Sequence, residues 1–96
     1  MGRFALVMHA KDNVATAVTD IASQEKVEVE VDNKVKEIKI LESIPFGHKF
    51  AIKTIAKGTD IVKYGEFIGM ATEDIGVGVR VHTHNVESKR GRGDLV

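Results

Sequence analysis

Thr54-Ile55-Ala56-Lys57-Gly58-Thr59-Asp60-Ile61 and Asp74-Ile75-Gly76-Val77-Gly78-Val79-Arg80-Val81 share one frame: an isoleucine, a glycine three residues on, and a β-branched residue three beyond that. Asp20-Ile21-Ala22-Ser23-Gln24-Glu25-Lys26-Val27 repeats the frame with glutamine in the glycine position. Glycine reaches backbone torsions that other residues avoid, so it marks sharp corners. Each copy reads as a loop that delivers the chain into a strand. The frame is far too short for a solenoid period. It suits a fold of short, kinked strands joined at related corners.

Working outward, Phe4 to Met8 reads as a short buried strand, and strand signals return at Lys49–Ile55, Asp60–Lys63, Phe67–Thr72 and Val79–Asn85. Tyr64-Gly65-Glu66 is a tight turn between the middle two of these. Ile44-Pro45-Phe46-Gly47-His48 is a loop that holds the single proline. From Val27 the apolar period is two, with Val27, Val29 and Val31 alternating with Glu28 and Glu30. Beyond the turn at Asp32-Asn33-Lys34 the apolar phase slips. A three-residue loop plus a one-residue bulge near Lys36–Glu37 repairs it, pairing Val31 with Val35, Val29 with Ile38, Glu28 with Lys39 and Val27 with Ile40. In the N-terminal half, Val14, Ala17, Val18 and Ile21 fall at i, i+3, i+4 and i+7, which predicts one helix capped by Asp12 or Asn13 and ending near Ser23. The expected class is therefore mainly β (α+β), with short kinked strands and one helix.

A chain of 96 residues forms one domain at most, with a thin core. Residues 1–88 are read as that domain, and the basic stretch 89–96, with two glycines and no hydrophobic period, as a flexible tail. Fourteen basic and fourteen acidic residues cancel, so no global positive field recruits nucleic acid. There is no cysteine, hence neither a disulfide framework nor a thiolate site. The apolar run at the N-terminus is too short for a signal peptide or a membrane span, so a cytoplasmic protein without nucleic-acid or membrane partners is expected.

Chemistry concentrates in Arg80-Val81-His82-Thr83-His84-Asn85. On a strand, His82 and His84 at i and i+2 point to one side, a chelating geometry for a transition metal, with His48 or His9 closing the site once the chain folds back. Proton transfer near neutrality is the other functional reading, and two exposed strand histidines the plain structural one. His48 and Lys49, after Gly47, can approach an anion closely or form a solvated basic pair. Lys63, Tyr64 and Glu66 offer a cation, a phenol and a carboxylate to a polar substrate, or simply a β-turn. His9, at the end of the first strand, reads as part of a simple cap. No phosphate loop, nucleophile elbow or two-metal carboxylate cluster occurs.

Three strings in order, Ile44-Pro45-Phe46-Gly47-His48-Lys49-Phe50-Ala51, Ile61-Val62-Lys63-Tyr64-Gly65-Glu66-Phe67-Ile68-Gly69 and Val81-His82-Thr83-His84-Asn85-Val86, resemble the N-terminal module of the altronate/galactarate dehydratases. That module is similar in turn to the small subunit of sulfolactate sulfo-lyase. The resemblance covers residues from about Asp12 to Ser88 and implies a SAF-type β-clip. It implies a small subunit of a hydro-lyase that works with a larger catalytic subunit. That enzyme would dehydrate a sugar acid to a 2-keto-3-deoxy acid with a divalent metal, iron foremost. Carried onto this chain, it makes His82 and His84 the metal-binding or proton-transferring pair. His48, Lys49, Lys63, Tyr64, Glu66 and Asn85 then face the substrate. A non-catalytic SAF-type ligand-binding or assembly module is the alternative.

Overall fold

The computed structural model describes residues 4–88, so the predicted tail at 89–96 lies outside the described residues. Corners of the kind read in the sequence organise it, and there are four of them. Each closes with a backbone bond across a four-residue turn: Glu25 to Ala22, His48 to Pro45, Thr59 to Ala56 and Val79 to Gly76. The third residue of each turn has a positive φ, namely Gln24 (74°), Gly47 (85°), Gly58 (86°) and Gly78 (88°), as a type II turn requires. The fourth corner, Ile44-Pro45-Phe46-Gly47, escapes the pattern read in the sequence because Phe50 replaces the β-branched residue.

The isoleucine before each turn is buried. These isoleucines bridge in pairs, Ile21 with Ile44 and Ile55 with Ile75, through reciprocal backbone bonds of 2.8–2.9 Å. An aspartate ties each pair a second time. Asp20 Oδ1 accepts from Phe46 N and Asp74 Oδ1 from Lys57 N, both at 2.8 Å. The molecule thus contains the same two-corner unit twice.

Among the described residues nine short strands join the corners: β1 (Ala5–Leu6), β2 (Val14–Ala17), β3 (Lys26–Val31), β4 (Lys34–Lys39), β5 (Lys49–Ala51), β6 (Asp60–Lys63), β7 (Glu66–Ala71), β8 (Arg80–Val81) and β9 (Val86–Ser88). They form an antiparallel sheet in the order β1-β2-β5-β8, a β3-β4 hairpin and a sheet in the order β6-β7-β9. The central sheet is buried on both faces. Ala15, Ala17, Phe50 and Ile52 join one core with Val27, Val29, Ile38 and Ile40. Val14 and Ala51 join the other, with Ile61, Ala71 and Val81. Alternation along β2 and β5 sends neighbouring residues to opposite cores.

The mainly β class is observed, but no helix occurs among the described residues. Val14–Ala17, expected to be helical, is β2. A strand buried on both faces reads as a continuous apolar run, and this one matched the helical period through Val18, which is exposed, and Ile21, which belongs to a corner. Asp12 and Asn13, the expected caps, bind distant backbone instead.

The β3-β4 register also differs from the expected one. Asp32 and Asn33 both have positive φ, 53° and 65°, so the loop has two residues, not three. Such a turn matches the natural twist of paired strands. The pairing runs without a bulge from Val31↔Lys34 to Val27↔Ile38 and Lys26↔Lys39. This restores the apolar phase by placing Ile38 opposite Val27 and leaving Val35 on the outside, 62% exposed. The bulge lies in the other hairpin, between Ile61 and Val62.

Candidate functional site

His48 and His82 meet because β5 and β8 are antiparallel. Phe50 pairs with Arg80 and Lys49 with Val81, so the next step of the register brings the two histidines together. Their rings stack with centroids 4.5 Å apart and planes inclined by 24°. Each is fixed through its backbone. His48 closes its corner, while its carbonyl accepts from Ala17 N at 2.8 Å. His82 N donates to Asn85 Oδ1 at 2.9 Å.

Asn85 shows how the local sequence sets this geometry. It is fully buried, and its Nδ2 donates to Arg80 O at 2.8 Å. An asparagine bonded to backbone on both sides closes a turn, and that turn ends β8 at Val81. His82 and His84 therefore do not share one face of a strand as expected. His82 is half-buried against His48, whereas His84 sits exposed in the turn. Both polar ends of Asn85 are occupied in holding this loop.

Around the stacked pair the chain gathers positive groups. Burial lowers the His82 pKa from its usual value, and His48, Arg80, Lys49 and His84 lower it further by repulsion. Burial also lowers the pKa of Lys49, with Lys63 as the second cause. His48 Nδ1 and Arg80 Nε are buried without a hydrogen-bond partner among the described residues. Buried donors and acceptors are ordinarily satisfied, so these atoms suit a water or a ligand oxygen. Carboxylate chemistry near them is limited: Glu42 Oε2 accepts from Arg80 N at 3.1 Å. The arrangement can hold an anion.

The remaining predicted residues lie on the β6-β7 hairpin. Lys63 pairs with Glu66 across its two-residue turn, Tyr64-Gly65. The Lys63 amine sits 5.1 Å from the Tyr64 ring centroid, within cation–π range. Tyr64 and Glu66 are exposed. This hairpin is held by residues whose role in the site was not apparent from the sequence. Asp12, fully buried, accepts from Gly65 N at 2.8 Å, Tyr64 N at 3.1 Å and Met8 N at 3.2 Å. Asn13 Oδ1 accepts from Val62 N at 2.8 Å, and its Nδ2 donates to Asp60 O at 2.9 Å. His9 packs its ring against Gly65 rather than joining the other histidines. Arg80 was also missed, although it opens the run that holds both histidines. Only the β5–β8 register makes it a neighbour of His48.

The donor set does not fit a metal held by this chain alone. Among the described residues no three His, Asp or Glu side chains converge as ligands. Lys49, Lys63 and Arg80 would also oppose a dication.

The fold and this site define a small β module that presents a cationic, two-histidine rim. A family model described as the altronate/galactarate dehydratase SAF domain matches residues 3–89, and the chain belongs to that family. It is 47% identical over 81 residues to the altronate dehydratase of Escherichia coli, and 36% identical over 86 residues to that of Bacillus subtilis. Each alignment covers 84% of this chain, which spans only 16% of the length of either enzyme. The (2R)-sulfolactate sulfo-lyase subunit alpha of Paracoccus pantotrophus is 42% identical over 59 residues, 62% of this chain and 88% of that subunit.

Proposed function

We propose that this chain is the small subunit of a cytoplasmic hydro-lyase that dehydrates an altronate- or galactarate-like sugar acid to a 2-keto-3-deoxy acid together with a larger catalytic subunit. The observation that carries this reading is the His48–His82 stack set among Lys49, Lys63 and Arg80, in a chain of a dehydratase domain family. The kinked strands suit a SAF-type β-clip. The chain's coverage of most of a sulfo-lyase alpha subunit supports a separately acting small partner.

Dehydration removes a proton beside a carboxylate, and negative charge grows on that carboxylate as the proton leaves. Fixed positive groups stabilise this charge without reorganising. In this reading His48 and Lys49 receive the carboxylate, and Lys63, with Tyr64 and Glu66 at its turn, borders the substrate. Asn85 acts on the substrate only through the loop it holds. His82, its pKa lowered, is neutral near pH 7 and can accept that proton. The electron pair left behind forms a C=C bond as the neighbouring C–OH bond breaks. The hydroxyl leaves as water on taking a proton back, and the enol relaxes to the 2-keto acid. A divalent metal, iron foremost, would supply further stabilisation of the carboxylate charge. It would draw its ligands chiefly from the larger subunit, with exposed His84 as the donor this chain can offer while His82 stays free to take the proton.

The test is reconstitution with the large subunit and a sugar-acid turnover assay. The chain alone should be inactive. His82→Ala should lower kcat in the complex by about a hundredfold or more, in the range of acid–base contributions. His48→Ala, which removes a group that receives the carboxylate, should lower kcat/KM. Full turnover by the large subunit alone, unaffected by these variants, would leave a non-catalytic binding or assembly module as the correct reading.

A further inference from the structure

We propose that the cavity behind Lys49 is a binding site for a small carboxylate carried on a short apolar chain, a ligand class distinct from a sugar acid. The cavity has a volume of about 220 Å³ and lies between the β5-β8 pair and the β6-β7-β9 sheet. Its walls are mainly aliphatic, from Ile61, Ile68, Val81 and Val86, and Thr83 and Ser88 add the two hydroxyl groups in the lining. Lys49 and His82 also line it. These are the same groups that repel one another and their cationic neighbours at the rim.

Such a cavity discriminates by chemistry. A polyhydroxylated chain carries more hydroxyl groups than Thr83 and Ser88 can partner, and each one left against the aliphatic walls costs roughly 1–3 kcal/mol. An alkyl chain gains roughly 0.8 kcal/mol for each CH₂ it buries. A carboxylate at its head would meet the half-buried Lys49 amine and relieve the Lys49–Lys63 repulsion. The volume is below the roughly 300–1,000 Å³ of pockets for drug-sized ligands, so the ligand has only a few carbons. An acid bound there engages Lys49, which the rim shares, and is therefore expected to compete with any anion the rim holds.

The full chain titrated with sodium butyrate and followed by methyl and histidine-ring NMR tests this directly. Saturable shifts are expected at Ile61, Ile68, Val81, Val86 and the His82 ring. Butan-1-ol lacks the charge and sodium gluconate carries hydroxyls, so each should bind at least about tenfold more weakly. Lys49→Met keeps the cavity wall and removes the charge, and should weaken butyrate by about tenfold or more. Ile68→Trp fills the space and should abolish the remaining methyl shifts. Equal response to butan-1-ol or gluconate, unchanged butyrate affinity in both variants, or shifts confined to His48 and His84 would overturn the proposal. No turnover is measured here, so this outcome and that of the reconstitution assay are independent.

Discussion

Protonating His82 places a charge on a ring that already stacks on His48 and faces Arg80, Lys49 and His84. Its folded pKa therefore lies below the unfolded value, near 6.5. Above that pH the ring is neutral in both states and costs nothing. As pH falls through 6.5 the unfolded chain takes the proton first, so the native state loses stability until the lower, folded pKa is passed. Thermal melts between about pH 7.5 and 4.5 should show this loss, and His82→Gln should make it shallower. An unchanged acid limb in the variant would mean that the ring is not held neutral. The spacing His-x-His singled out His82 and His84 in the sequence, with His48 or His9 as a further member whose position spacing alone does not fix. The actual partner of His82 is His48, more than thirty residues away, and only strand register brings it there. Sequence proximity carries no information about a contact made across a sheet.

The corners make predictions of their own. Gly58 and Gly78 occupy equivalent positions, at φ of 86° and 88°, yet their surroundings differ. A Cβ at Gly58 would meet nothing within 4 Å, so Gly58→Ala should cost only the left-handed backbone penalty, about 1–2 kcal/mol. A Cβ at Gly78 would collide with the carbonyl oxygen of Lys39, so Gly78→Ala should lose about 3 kcal/mol or more, since backbone must shift as well. Urea unfolding of the two variants side by side measures the difference. Isoleucine, glycine and spacing made three corners legible because a positive φ leaves a direct mark on residue choice. The helix error has the opposite origin. Val14–Ala17 is short and buried on both faces, and four residues cannot distinguish a fully apolar strand from a helical stripe. The hairpin error lay in the loop. Asp32-Asn33 accepts the two left-handed torsions of a two-residue turn without any glycine to announce it.

Asp12 joins parts of the molecule that are far apart in sequence. Its carboxylate holds the backbone of Met8 on one side and of Tyr64 and Gly65 on the other. Asp12→Ala would leave these N–H groups without their acceptor and should lower stability by about 3 kcal/mol. At roughly 4–8 °C per kcal/mol for a chain of this size, the melting temperature should fall by roughly 12–24 °C. Asp12→Asn keeps one acceptor oxygen and should lose about half as much. A melt unchanged by both substitutions would show that the hairpin stands without this tie. Asp12 was legible in the sequence only as a cap, because nothing local distinguishes a carboxylate that binds its own helix from one that binds a distant turn.

The β3-β4 hairpin has a consequence for how the molecule behaves in company. Apart from Ile38, the residues of β4 are exposed, and its ends and middle carry Lys34, Lys36 and Lys39. An uncovered strand edge invites a copy of itself to add on, and a row of lysines repels that copy. A second copy laid along β4 would therefore meet like charge at three points of the edge, which opposes edge-to-edge stacking of this chain with itself.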